Sequence, residues 1–88
     1  MRHPLSMNVK PLKETLRVYL ARRRLTKKFN KQIRLLSENF SYPSLNTEIL
    51  EPKEFRLYSV RIDRKYRAIF AITDQTEIEI IDVNAHYQ

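Results

Sequence analysis

The sequence has 88 residues, carries a formal net charge of +7, and contains neither cysteine nor glycine. A chain this short encloses one modest core, so we expect a single domain over residues 1–88. The missing cysteines exclude disulfides, thiolate zinc sites and thiol nucleophiles, and the missing glycines exclude a P-loop or dinucleotide-binding fingerprint. No apolar run reaches the roughly 20 residues of a membrane helix. We therefore expect a cytoplasmic protein with no membrane partner, no metal and no cofactor.

The positive charge is concentrated in the first half of the chain. Residues 1–44 hold 11 basic and 2 acidic side chains, a net charge of +9, whereas residues 45–88 hold 6 basic and 8 acidic ones, a net charge of −2. Charge separated in this way favours a polyanionic partner on one side of the domain. Nucleic acid is the first candidate, and an acidic protein is the second.

The first 40 residues predict a pair of helices. Residues 1–10 show little pattern, and we expect either a weakly ordered end or an edge strand over residues 5–9. Apolar residues then recur with a helical period, which predicts an αα-hairpin over residues 12–40. Its two stripes are Leu12, Leu16, Tyr19 and Leu20, then Phe29, Ile33, Leu36 and Phe40. Pro43 ends the second helix because a residue before proline avoids helical backbone angles.

The second half of the chain predicts strands. Residues 44–54 are interpreted as a connector, in which Pro52 excludes a central strand. Alternation with a period of two then predicts an antiparallel meander over residues 55–83, with strands at 55–62, 65–72 and 77–83. The alternation slips at Ile80-Ile81, which indicates a β-bulge or burial on both faces. The predicted fold class is α+β, with two N-terminal helices on one face of a small antiparallel sheet. That sheet has three clear strands and a possible short N-terminal strand.

Two arginines stand out in the predicted strands. Arg61 and Arg67 interrupt runs of apolar residues, and both should project from the face opposite the helices. A guanidinium group binds phosphate in a bidentate manner, so two on neighbouring strands could grip one phosphodiester. The alternative is that both are solvated and paired with acidic side chains of the connector, which are Glu48, Glu51 and Glu54.

Candidate proton-transfer groups lie at the C-terminus. His86 and Tyr87 form a competent pair for such chemistry, although an exposed, frayed terminus is the commoner explanation of an isolated terminal histidine. Glu48 is likewise either a catalytic carboxylate or a solvated one. Exposed cations are candidates for RNA contact, because residues 10–34 hold ten basic side chains and one acidic side chain. The predicted RNA-binding residues are Arg22, Arg23, Lys27, Lys28, Lys31, Arg34 and Lys65.

Four short sequence segments, taken together and in their order along the chain, resemble the RelE/ParE toxin superfamily. They are Asn39-Phe40-Ser41-Tyr42-Pro43-Ser44-Leu45, Tyr58-Ser59-Val60-Arg61-Ile62, Tyr66-Arg67-Ala68-Ile69-Phe70 and the terminal His86-Tyr87. The likeness is greatest to YoeB-type members, which also end on a His-Tyr pair. The resemblance extends over about residues 39–88, and the two helices match the family only in their hydrophobic pattern.

The resemblance implies a toxin of a type II toxin–antitoxin pair. Such YoeB-type toxins cleave mRNA on the ribosome without a metal, by attack of a 2′-OH on the adjacent phosphate. It also implies a cognate acidic antitoxin, and contact with operator DNA only through the antitoxin complex. By the YoeB-type pattern Glu48 is the general base, and Arg61 and Arg67 contact the phosphate. His86 and Tyr87 assist proton transfer and orient the substrate.

Two other functions fit the same residues. A ParE-like protein would poison DNA gyrase by binding it, without chemistry of its own. An inactive basic module would bind nucleic acid and nothing more. Growth arrest with DNA damage but intact mRNA would select the first, and salt-sensitive RNA binding without toxicity would select the second.

Overall fold

The computed structural model describes residues 7–85, which form two helices packed on a five-stranded sheet. The helices are α1 (Glu14–Arg22) and α2 (Thr26–Glu38). The strands are β1 (Asn8–Val9), β2 (Glu48–Ile49), β3 (Leu57–Arg61), β4 (Tyr66–Asp74) and β5 (Glu77–Ala85). Their order across the sheet is β1-β5-β4-β3-β2. The predicted α+β class is confirmed, and no helix within residues 7–85 is both long and apolar enough to cross a bilayer.

The sheet is mixed and has more strands than expected. β1 pairs in parallel with β5, whereas the other neighbours are antiparallel. Residues 44–54 were predicted as a connector without a central strand, and the structure adds a short edge strand there, β2, in which Glu48 and Ile49 pair with Ser59 and Tyr58. A two-residue strand is too short to show a period of two in the sequence. β3 also starts later than predicted, since Arg56 has a left-handed backbone (φ 56°) that separates Phe55 from the strand.

One core lies between the helices and the sheet. Each apolar helix stripe supplies buried side chains, including Leu16 and Leu20 from α1 and Phe29 and Leu36 from α2. They meet the side chains of one sheet face, which are Val60, Ile62, Ala68, Phe70, Ile78, Ile80 and Val83. The ring of Tyr58 stacks on that of Phe70 with centroids 5.3 Å apart. Burial of these side chains holds the helical hairpin to one face of the sheet.

The slip in alternation at Ile80-Ile81 is a β-bulge. Ile69 pairs with Asp82 and Phe70 pairs with Ile80, so Ile81 is the extra residue on β5. The bulge keeps Ile80 buried at 3% exposure and leaves Ile81 exposed at 37%. Both Ile80 and Val83 therefore face the core despite an odd spacing.

Asp63 organises the turn between β3 and β4, where many chains use glycine. Its Oδ1 accepts hydrogen bonds from the backbone N–H groups of Lys65 and Tyr66, both at 2.8 Å. Lys28 Nζ lies 3.7 Å from Oδ2. Burial alone would raise the pKa of Asp63, but the two N–H groups and Lys28 together lower it below its ordinary value. The ionised carboxylate thus closes the turn and ties it to α2.

This turn makes a pH-dependent prediction. Because the folded-state pKa is depressed, Asp63 stabilises the protein above its unfolded pKa of about 3.9, and the contribution is lost as pH falls through the folded pKa. Asp63→Asn should lower the free energy of unfolding by about 1 kcal/mol at pH 7. Urea titrations at pH 7 and pH 3 should show the difference shrinking at the lower pH. Asp82→Asn, at an exposed position, is the matched control. A pH-independent deficit would contradict this account of the turn.

Candidate active site

The strand register gathers a carboxylate and two guanidinium groups on one face of the sheet. Glu48 pairs with Ser59, and Arg61 pairs with Arg67. Residues that pair across antiparallel strands share a face, and side chains alternate between faces along each strand. Val60 lies under the helices, so these four residues occupy the opposite face, here called the open face.

Arg67 differs from the solvated arginine that the sequence allowed. It is only 5% exposed, although it lies on the open face. Its Nε donates to Ser59 Oγ at 3.0 Å, and its Nη2 donates to the carbonyl oxygens of Asn46 (2.6 Å) and Ser59 (3.3 Å). The segment that contains Asn46 covers the guanidinium group. Arg67 is therefore fixed by hydrogen bonds before any substrate arrives.

Glu48 lies beside this fixed cation. Its Oε1 is 3.9 Å from Arg67 Nη2, and its side chain is 52% exposed. Burial lowers the pKa of Arg67, Glu48 acts against that shift, and Arg61 adds to it. The guanidinium still stays charged, as arginine does in proteins. Two cations and one anion leave the cluster net positive, which suits an anionic substrate.

The approach to β2 places both Asn46 and Glu48. A short 3-10 turn over Pro43–Leu45 buries Leu45 completely. Asn46 follows with a left-handed backbone (φ 46°), which asparagine tolerates better than most residues. Thr47 Oγ1 donates to the carbonyl of Phe40 at 3.0 Å. These contacts hold the chain over Arg67 and deliver Glu48 to its place opposite Ser59.

The remaining predicted cations lie elsewhere. The predicted RNA-binding residues are exposed, but those on the helices do not share the open face. Lys28 is paired with Asp63, and the Arg23 guanidinium lies 3.5 Å from the ring centre of Tyr19. Lys27, Lys31 and Arg34 recur at i, i+4 and i+7 on the exposed side of α2, and we call them the basic stripe. The cluster on the open face (Glu48, Arg61 and Arg67) and the basic stripe on α2 therefore lie on different surfaces of the domain.

The predicted proton-transfer pair follows β5 in the chain. His86 and Tyr87 lie outside the described residues, which end at Ala85 on β5. Their roles remain predictions. Among residues 7–85, the His, Asp and Glu side chains do not form groups of three that could hold a metal ion.

The residues that support this cluster were not predicted from the sequence. Ser59 is one of them: its hydroxyl accepts a hydrogen bond from Arg67 Nε in a buried position. Its place in the alternation, between Leu57 and Arg61, was the available signal. Asn46 acts through its backbone carbonyl, and a backbone contact carries no side-chain signature.

Solved structures share this arrangement of helices and strands. A YoeB/ParE toxin from Agrobacterium tumefaciens superposes with a TM-score of 0.69 at 19% identity, covering 94% of this chain and 100% of that one. A YoeB dimer from Staphylococcus aureus gives 0.69 at 22% identity, and the YoeB–YefM complex from the same organism gives 0.66 at 22%. Both cover 97% of this chain and 100% of the other. No family model and no curated protein matches the sequence. The chain therefore has the fold of the YoeB and ParE toxins, as its sequence resemblance implied.

Proposed function

We propose that the chain is the toxin of a type II toxin–antitoxin pair and a ribosome-dependent mRNA endonuclease of the cytoplasm. The observation that supports this most is the pairing of Glu48 with a buried Arg67, 3.9 Å apart, beside the exposed Arg61. A partly exposed carboxylate beside fixed cations suits abstraction of a proton next to a phosphate. The fold shared with YoeB structures agrees with this proposal.

The reaction follows from the chemistry of RNA. The Glu48 carboxylate removes the proton of a ribose 2′-OH, and the 2′-oxygen attacks the adjacent phosphorus. The bond from phosphorus to the 5′-oxygen breaks, and that oxygen takes a proton from an acid, a role we assign to His86. The products are a 2′,3′-cyclic phosphate and a 5′-hydroxyl. Arg61 stabilises the charge that develops on the phosphate, and Tyr87 orients the substrate.

Each proposed partner rests on charge as well as on fold. The chain carries +7 overall, which suits an acidic antitoxin, and the YoeB structure from Staphylococcus aureus was solved with YefM. Ribosomal RNA would meet the exposed cations of the helices while the open face meets mRNA. Operator DNA would be bound only through the antitoxin complex.

The basic stripe gives a prediction about docking. Replacing Lys27, Lys31 and Arg34 together by glutamine removes three cations from the exposed side of α2. Affinity for ribosomes should fall, and the slope of log K against log salt should lose about 2–3 units, because each phosphate contact contributes roughly 0.7–0.9. Cosedimentation across a salt series measures both quantities. The same three changes at Lys53, Arg56 and Arg64 keep the total charge matched, and an equal loss there would contradict a specific role for the stripe.

Expression of the chain followed by mapping of mRNA ends tests the function. The proposal expects growth arrest with cuts in translated mRNA, and no cuts in purified mRNA without ribosomes. Arrest with DNA damage and intact mRNA would establish the ParE-like alternative instead. Salt-sensitive RNA binding with normal growth would leave only the inactive binding module.

A further inference from the structure

A buried glutamine connects the helical layer to the backbone behind the open face. Gln32 is 7% exposed and lies on the apolar side of α2, between Phe29 and Leu36. Its Nε2 donates to the carbonyl of Arg61 at 2.9 Å and to the carbonyl of Ser44 at 3.1 Å. A buried amide costs stability unless it is hydrogen-bonded, and here both of its N–H groups are used.

The carbonyl of Arg61 needs this donor because strand pairing stops short of it. β2 pairs with β3 only at Ser59 and Tyr58. The N–H of Ile62 donates to Tyr66 on β4, and backbone polar groups alternate sides along a strand, so the carbonyl of Arg61 points toward the β2 side. There the Gln32 amide donates the hydrogen bond that a backbone N–H of a longer β2 would otherwise have supplied.

The second carbonyl belongs to the segment that carries the carboxylate. Ser44 lies in the Pro43–Leu45 turn, two residues before Asn46 and four before Glu48. The carbonyl of Asn46 in turn accepts from Arg67 Nη2 at 2.6 Å. One amide group therefore anchors both segments, the end of β3 with Arg61 and the approach to β2 with Glu48.

We infer that Gln32 is a positioning residue, which fixes the separation between Glu48 and Arg61 by holding the backbone of both segments. This inference rests on the proposed function for its effect on cleavage. Misplacing a catalytic group by about 1 Å can cost on the order of 100-fold in rate. Gln32 is buried on the helix side of the sheet, opposite the open face, so its loss should change the rate of the chemical step more than the binding of RNA.

Gln32→Met tests the inference, because methionine resembles glutamine in length and shape but has no amide donor. We expect kcat for mRNA cleavage on ribosomes to fall roughly 10–100-fold, with KM within about twofold. Gln75→Met, the same change in the exposed turn between β4 and β5, should leave both constants unchanged. The shorter Gln32→Asn, which cannot overfill the core, should also lower kcat. It carries the test if the methionine variant fails to fold.

A measurement on the free chain separates this inference from the proposed function. The Arg67 Nε–H donates to Ser59 Oγ at 3.0 Å, and its ¹⁵N NMR signal reports that geometry. Gln32→Met should shift the signal and speed its exchange with solvent, and Gln75→Met should do neither. An unchanged signal, or a wild-type kcat in Gln32→Met, would overturn the positioning role. Absence of cleavage by the wild type would overturn the proposed function instead.

Discussion

Glu48→Gln should lower the rate of mRNA cleavage by about 10²–10⁴-fold, the usual contribution of general acid–base catalysis. Glutamine keeps the size of the side chain and its position opposite Ser59 on β2, but it cannot accept the 2′-OH proton. The side chain is 52% exposed, so the free energy of unfolding should stay within about 0.5 kcal/mol of the wild-type value. Single-turnover cleavage on programmed ribosomes measures the rate directly.

The control for this change is another glutamate of the same region. Glu54→Gln alters an exposed carboxylate in the Lys53–Phe55 turn, away from the Arg67 guanidinium. It should cleave at the wild-type rate. If both variants cleave normally while Arg61→Ala does not, Glu48 is not the base, and another group must take the proton.

Arg67→Ala should damage both stability and activity. Removing the guanidinium leaves the Ser59 hydroxyl and the Asn46 carbonyl without their donor. It also releases the segment around Asn46, which the guanidinium holds in place. We expect the free energy of unfolding to fall by about 3 kcal/mol, since each unsatisfied buried group costs roughly 1–3 kcal/mol. For a domain of this size that lowers the melting temperature by more than about 10 °C. Calorimetry measures the shift, and cleavage assayed below the new transition should still be at least about 100-fold slower.

Two further variants separate charge from geometry at this position. Arg67→Lys keeps the positive charge but cannot reproduce the forked contacts to Ser59 and Asn46, so most of the stability should still be lost. Arg64→Ala removes an exposed arginine from the nearby turn and should change neither quantity. A fully stable Arg67→Ala protein would contradict the burial that the structure assigns to this side chain.

The parts of the fold with a long repeating pattern were predictable from sequence. Both helix stripes recur over several turns, and β4 alternates over most of its length, so their buried faces could be assigned in advance. The slip at Ile80-Ile81 indicated the bulge, because it interrupts the regular alternation of apolar and polar residues along β5. The helices' place on one sheet face follows from those patterns, since an apolar face must be covered.

The connections were less predictable because this chain makes left-handed turns without glycine. Arg24, Asn46 and Arg56 all have positive φ angles, and for arginine the sequence offers no sign of that. A non-glycine residue in this region costs roughly 1 kcal/mol, so neighbouring contacts must hold it there. The path of residues 44–56, and with it β2, therefore depends on tertiary contacts.

The sequence predicted the charged residues of the candidate site but not the contacts that hold them, because those contacts depend on the path of residues 44–56. Glu48, Arg61 and Arg67 were selected by residue type and resemblance, and the register places them on one face. Arg67 is buried because the segment through Asn46 passes over it. Gln32 can bind the Arg61 carbonyl because β2 is too short to pair with it. Gln32 did carry a signal, as a polar residue on the apolar side of α2. That signal alone does not identify the two carbonyls it binds.

The chemical ends of the cut mRNA test most directly whether the open face cleaves RNA by internal attack. Programmed ribosomes are incubated with the wild-type chain, and the fragments are analysed by mass spectrometry. We predict a 2′,3′-cyclic phosphate and a 5′-hydroxyl, and no cut where the nucleotide 5′ to the scissile phosphate is 2′-deoxy. Fragments with a 3′-hydroxyl and a 5′-phosphate, or efficient cutting at the 2′-deoxy position, would contradict this mechanism.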